Sequence, residues 1–228
     1  MALFRFNEEA CEDQACGTIG LDNDAKKGLY LADEYDEDEE KEFVGAGEEK
    51  ETSKINIPAA LAAKTAGGVA FDQTEVNGVT YYFIDNEHYF NRSSVYGQDD
   101  DGERFAFFSK AALEILPHIG YKPDVVNAND WHAALSIIYL DDLKARGESF
   151  YQNIKSVISI HNIEFQGKFN PYEMGNLFGL DNKYFDALIY KGDLNLLKGA
   201  IQLADRINTV SETYAHEILD PYFSYGLD

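Results

Sequence analysis

Cysteine is nearly absent from this chain, with Cys11 and Cys16 its only two. Neither has a neighbouring His or a second Cys pair to complete a metal site, so free thiols in a reducing compartment are expected. Long apolar runs are missing as well. No window approaches the roughly 18 apolar residues of a membrane span, and the opening Met1-Ala2-Leu3-Phe4-Arg5-Phe6-Asn7 lacks the basic start and apolar stretch of a secretion signal. The expected location is cytoplasmic, where the glycosylation triplet Asn91-Arg92-Ser93 has no consequence. Positive charge is scarce too: 19 Lys and Arg stand against 41 Asp and Glu, a net charge of −22. A field of that sign repels nucleic-acid phosphates and anionic membranes, so neither is expected as a partner.

The acidic residues are unevenly spread. Residues 1–53 supply more than half of the net charge, with the densest run from Asp33 to Glu42. Such a block repels itself and has few apolar side chains to offset the entropy of ordering. Residues 1–76 are therefore expected to be a disordered or irregular N-terminal segment, followed by one domain over 77–228.

Beyond residue 77 the pattern changes. Val79 to Asp85 is β-branched and aromatic, as a buried strand should be. Asp100 and Glu103 are spaced as a capping box, and Phe105, Phe108, Ala112 and Ile115 follow at helical intervals. Further strands are expected at Asp124–Asn127, Ser156–Ile160 and Arg206–Val210. Helices are expected over about Trp131–Lys144, Asn195–Ala204 and Glu212–Leu219. Repeated strand and helix units of this length define an α/β fold, a Rossmann-like parallel sheet flanked by helices.

In open parallel sheets, ligands bind beyond the carboxyl ends of the strands. Three loops fall there: Asn127 to His132, His161 to Gly167, and Ser211 to Tyr214. Together they offer amides, a carboxylate, hydroxyls, two imidazoles and the only Trp. That mixture can bond sugar hydroxyls and stack against a pyranose face. Structural readings stand beside it, with Asp130 as a helix cap and Trp131 as core. Asp130, His132 and His161 are also of metal-ligand type, but they lie in separate loops without His-Glu-x-x-His spacing. No metal or cofactor is expected. His88, His118 and His216 are scattered and read as surface or packing residues.

These stretches carry a family resemblance. From about Gly78 to Asp228 the chain resembles the bacterial glycogen and starch synthase family. The matching residues are Tyr82-Phe83-Ile84-Asp85-Asn86, Tyr96-Gly97 with Asp100, Arg104 to Ser109, and Asn129-Asp130-Trp131-His132. They continue with His161-Asn162, Gln166-Gly167, Leu197-Lys198-Gly199, Thr209-Val210-Ser211, Thr213-Tyr214 and Tyr225 to Asp228. Phe165 departs from the Tyr often found there.

The resemblance implies one half of a GT-B glycosyltransferase, which transfers glucose from ADP-glucose to an α-1,4-glucan. It implies Asp130 and His161 as catalytic residues. As substrate contacts it implies Asn129, Trp131, His132, Asn162, Gln166, Gly167, Ser211, Thr213 and Tyr214. The implied partners are the glucan acceptor and a complementary C-terminal GT-B domain.

The family's opening Lys-x-Gly-Gly-Leu donor loop has no clear counterpart. Lys64-Thr65-Ala66-Gly67-Gly68-Val69 has an extra residue, and Gly45-Ala46-Gly47 lacks a third glycine. The sequence therefore reads as an N-terminal fragment, expected to be inactive alone. The alternative is a noncatalytic glucan-binding or regulatory module.

Overall fold

A computed structural model of the chain describes residues 2–7, 28–31, 53–55, 69–76 and 78–228. Among the described residues the main sheet has eight strands: β1 (Ala2–Asn7), β2 (Gly28–Leu31), β3 (Ser53–Ile55), β4 (Val69–Val76), β5 (Val79–Asp85), β6 (Val125–Asn129), β7 (Lys155–Ile160) and, after three strands of a second sheet, β11 (Arg206–Thr209). The spatial order is β11-β7-β6-β2-β1-β5-β4-β3. Strands β11, β7, β6 and β2 run parallel, which is the expected α/β arrangement. From β2 onward through β1, β5, β4 and β3, each neighbouring pair is antiparallel.

One of these antiparallel pairs, β4 with β5, has a local cause. Asn77-Gly78 separates β4 from β5, and Gly78 takes φ +79°. A two-residue Asn-Gly connection matches the twist of a tight hairpin, so β5 folds back on β4 rather than crossing over through a helix. Of the segment expected to be irregular, 1–76, most lies outside the described residues, and its described stretches are strands β1 to β4. Lys64 to Gly68, Gly45 to Gly47 and both cysteines also lie outside the described residues.

Helices α1 (Glu87–Phe90), α2 (Asp101–His118) and α3 (Asp130–Ala145) follow in chain order. Phe105, Phe108, Ala112 and Ile115 of α2 are all buried, as their spacing predicts. The capping box does not form. Asp100 makes no side-chain cap bond; its carboxylate takes the Arg92 guanidinium at 2.6 Å instead. Glu103 accepts the Tyr89 hydroxyl at 2.8 Å. Asp101, the next residue, accepts from the Gly97 N–H at 2.6 Å and pairs with Arg104.

Helix α3 carries apolar side chains on most of its circumference, including Leu135, Ile137, Ile138 and Leu140. It contacts α2, strands β6 and β7, and a later helix, α6 (Leu196–Leu203). Each fully buried Leu or Ile there contributes about 1.5–3 kcal/mol relative to exposure, so α3 anchors the core. Between β7 and α6 the chain forms a second sheet of β8 (Lys168–Phe169), β9 (Ile189–Tyr190) and β10 (Asp193–Asn195), with β10 in the centre. The short helices α4 (Glu173–Asn176) and α5 (Phe185–Leu188) lie between β8 and β9 in the chain, and α7 (Glu212–Glu217) follows β11. Among the described residues no helix is long and apolar enough to cross a membrane.

Candidate functional site

Strands β6, β7 and β11 are adjacent and parallel, so the loops after their carboxyl ends converge. Asn129 ends β6 and precedes α3 without a side-chain cap bond. Asp130 then takes φ +53°, a left-handed conformation that a short polar side chain tolerates best. This turn directs the Asp130 carboxylate at the loop after β7.

There Asp130 Oδ1 accepts from the His161 N–H at 2.8 Å and the Asn162 N–H at 3.3 Å. Its Oδ2 lies 3.0 Å from His161 Nδ1. The carboxylate side chain is 11% exposed and the imidazole 49%. With Nδ1 donating its hydrogen to Asp130, the tautomer that a carboxylate selects, Nε2 is the ring's acceptor. The two expected catalytic residues are thus joined directly.

The remaining expected residues divide by what they touch. Trp131 is half-buried; its ring lies 4.3 Å from that of His132, 5.2 Å from Phe105 and 5.9 Å from Phe169. His132 is buried, and Tyr96 extends the stack with its ring 5.4 Å from the imidazole. Gly167, at φ +61°, lies flat against Trp131: a Cβ there would come within 2.5 Å of Trp131 Cε3. Only glycine allows this approach.

Asn162 is exposed, and its Oδ1 accepts from the Glu164 N–H. Ser211 caps α7 by accepting from the Tyr214 N–H, and Thr213 is exposed on the same helix. The Tyr214 hydroxyl accepts from the Ile163 N–H at 2.9 Å, tying α7 to the β7 loop. Gln166 is 3% exposed and its amide is engaged within the chain. Its Nε2 donates to the Ile163 carbonyl at 3.1 Å and the Tyr225 carbonyl at 3.5 Å, and its Oε1 accepts from Asn195 Nδ2 at 2.8 Å.

Sequence reasoning assigned no role to Asn195 or to the Tyr225 carbonyl. Asn195 also accepts from the Lys198 N–H as cap of α6, a signal visible as an Asn three residues before Lys198. Nothing local announces its bond to Gln166, which lies 29 positions away. Glu164 beside Tyr225 raises its phenol above the ordinary range. Among the described residues no group of three or more His, Cys, Asp or Glu is placed to hold a metal ion, so Asp130, His132 and His161 do not form one.

A parallel α/β half-sheet with a carboxylate-held imidazole and an aromatic cluster beyond the carboxyl ends of its strands has the arrangement of a ligand-binding α/β domain. The family profile of the starch synthase catalytic domain matches residues 28–228. The chain is 47% identical over 152 residues to a glycogen synthase of Alkaliphilus metalliredigens, covering 66% of this chain and 32% of that protein. It is 50% identical over 154 residues to one of Streptococcus mutans, covering 67% and 32%, and 46% identical over 183 residues to one of Lachnospira eligens, covering 79% and 38%. The solved catalytic domain of starch synthase IV from Arabidopsis thaliana, bound to ADP and acarbose, superposes with TM-score 0.65 at 29% identity, covering 78% of this chain and 36% of that one. The chain belongs to the starch synthase catalytic domain family, matches one part of the GT-B architecture of that structure, and spans about a third of the length of these relatives.

Proposed function

We propose that this chain forms the acceptor-side wall of a retaining glucosyltransferase that moves glucose from ADP-glucose to the nonreducing end of an α-1,4-glucan. The observation that carries the reading is the Asp130–His161 pair at the carboxyl ends of adjacent parallel strands. Relatives named glycogen synthase, and a solved relative holding ADP and acarbose, support it.

The chemistry follows from the reaction. As the diphosphate leaves, the anomeric carbon becomes oxocarbenium-like, and a fixed hydrogen-bonding group and nearby negative charge lower that barrier. His161 bonds a hydroxyl of the transferred glucose. Asp130 orients the ring and keeps a carboxylate beside it. Trp131, His132 and Gly167 shape the wall, with Asn129, Asn162, Ser211, Thr213 and Tyr214 along its rim, and Gln166 acts from behind it. A complementary donor-binding domain supplies the facing wall. The same reading makes an α-glucan the macromolecular partner and the cytoplasm the location.

The test is glucose transfer from ADP-glucose to glycogen, run with glycogen co-sedimentation on this chain and on Asp130→Ala. Glycogen binding without turnover supports the wall reading. Turnover abolished by Asp130→Ala shows instead a complete site within the chain, and neither binding nor turnover overturns the reading.

A further inference from the structure

The His161 loop is held from several directions at once. Asp130 takes the N–H groups of His161 and Asn162 at its start, and Tyr214 of α7 takes that of Ile163. At its far end the Gly167 carbonyl accepts from the Leu196 N–H, and the Gln166 carbonyl from the Leu197 N–H, at the first turn of α6. His161, Glu164 and Phe165 remain exposed between these ties.

Gln166 connects the two ends. Its Nε2 donates back to Ile163 within the loop, while its Oε1 accepts from Asn195 of β10. The direction of this amide is fixed. Nε2 faces two carbonyl oxygens, of Ile163 and Tyr225, so a flipped amide would place acceptor against acceptor. Oε1 must then face a donor, and Asn195 supplies one from a fully buried position. Asn195 is oriented in turn because its Oδ1 caps Lys198. Each buried atom of the pair is satisfied in only one arrangement, which makes the pair selective for a single loop geometry.

We infer that Gln166 and Asn195 are positioning residues: a buried amide pair that locks the His161 loop to the start of α6 and so fixes the imidazole against Asp130. The meaning of that lock for sugar transfer rests on the function proposed above, whereas the lock itself does not.

Two variants separate it from general stability. Asn195→Asp keeps the oxygen that caps Lys198 but presents only acceptors to Gln166 Oε1. Gln166→Leu keeps the bulk and removes all three side-chain bonds. Amide hydrogen exchange is read residue by residue, under conditions where circular dichroism shows each variant folded. Both changes are expected to speed exchange at His161, Asn162 and Ile163 by about tenfold or more, as loss of a buried bond of this type predicts, with β6 and core β7 amides unchanged. Unchanged exchange at those three amides, or equal acceleration throughout β6 and β7, overturns the lock.

Maltoheptaose binding by calorimetry is measured on the same samples. Weakening in both variants ties the lock to sugar handling. Equal binding by variants and wild type overturns that tie, while a wild type that does not bind overturns the functional reading and leaves the exchange result to decide the lock.

Discussion

Asp130 grips His161 twice, by its backbone N–H at 2.8 Å and by its ring Nδ1 at 3.0 Å. One carboxylate therefore sets both the path of the loop and the orientation of the imidazole. The left-handed backbone at Asp130 is what points it there.

Asp130→Ala loses these bonds and places a β-carbon without polar compensation at φ +53°. Unfolding free energy is expected to fall by about 2–4 kcal/mol in urea titration. Asp130→Asn tolerates the same backbone and keeps one accepting oxygen, so its loss is expected to stay near 1 kcal/mol. Its amide faces Nδ1 with a donor, which reverses the tautomer. Nitrogen NMR should show hydrogen on Nδ1 in the wild type and on Nε2 in Asp130→Asn.

Gly167→Ala is expected to cost about 2–4 kcal/mol, combining a left-handed alanine with a clash against Trp131. Gly179 provides the control: φ is +64° there, but a Cβ meets nothing within 4 Å. Gly179→Ala should cost only about 1 kcal/mol, the backbone part alone. Paired denaturation curves measure the difference, and equal losses would remove the clash from the account.

Arg104 is 3% exposed and donates to Asp101, the Tyr89 carbonyl and the Val95 carbonyl. Arg104→Met leaves Asp101 buried without its ion-pair partner and is expected to cost about 3–5 kcal/mol. The double change Asp101→Leu with Arg104→Met should recover part of that loss. A double variant no more stable than Arg104→Met would show that the Asp101 charge is not the source.

Asp205 carries a pH dependence of definite sign. Burial by itself raises its carboxyl, but bonds from Lys155 and from the Ser156 N–H and hydroxyl outweigh that and hold it below the usual range. A depressed carboxyl stabilises the fold above its unfolded value, near pH 4, and that contribution disappears as pH falls through the lower folded value. Asp205→Asn should therefore be less stable than wild type at neutral pH, with the gap narrowing in acid. A gap independent of pH would contradict the assignment.

Much of the parallel half was legible because each strand and helix announces itself locally. Val79–Asp85 reads as a strand from its own side chains, and α3 from the apolar residues that dominate its middle, Ala133 to Leu140. The direction of β5 was not read, although Asn77-Gly78 stood beside it, because the strand and helix rhythm after it suggested crossovers throughout. Strands β8, β9 and β10 were invisible for a different reason. Each has two or three residues, too few for a period, and their pairing depends on Leu194 meeting Phe169 and Ile189 across the chain.

At the site, residue types were readable but roles were not. The sequence brings forward Asp130, His161 and Gln166 alike as polar residues in loops. Only their partners separate the exposed imidazole from the carboxylate that holds it and the buried amide behind. The capping box failed likewise, since Arg92 and Tyr89 claim the two carboxylates that local spacing assigns to the backbone.

The close seating of Gly167 on Trp131 gives the molecule a built-in optical signal. Trp131 is the chain's sole tryptophan, so light absorbed at the red edge, beyond the reach of tyrosine, reports from one indole ring at the foot of the His161 loop. Lifting of that loop uncovers one face of the ring to water and shifts its emission. Any displacement of the loop, as in a variant that loses the Gln166–Asn195 pair, can thus be read in rapid mixing without attaching a dye.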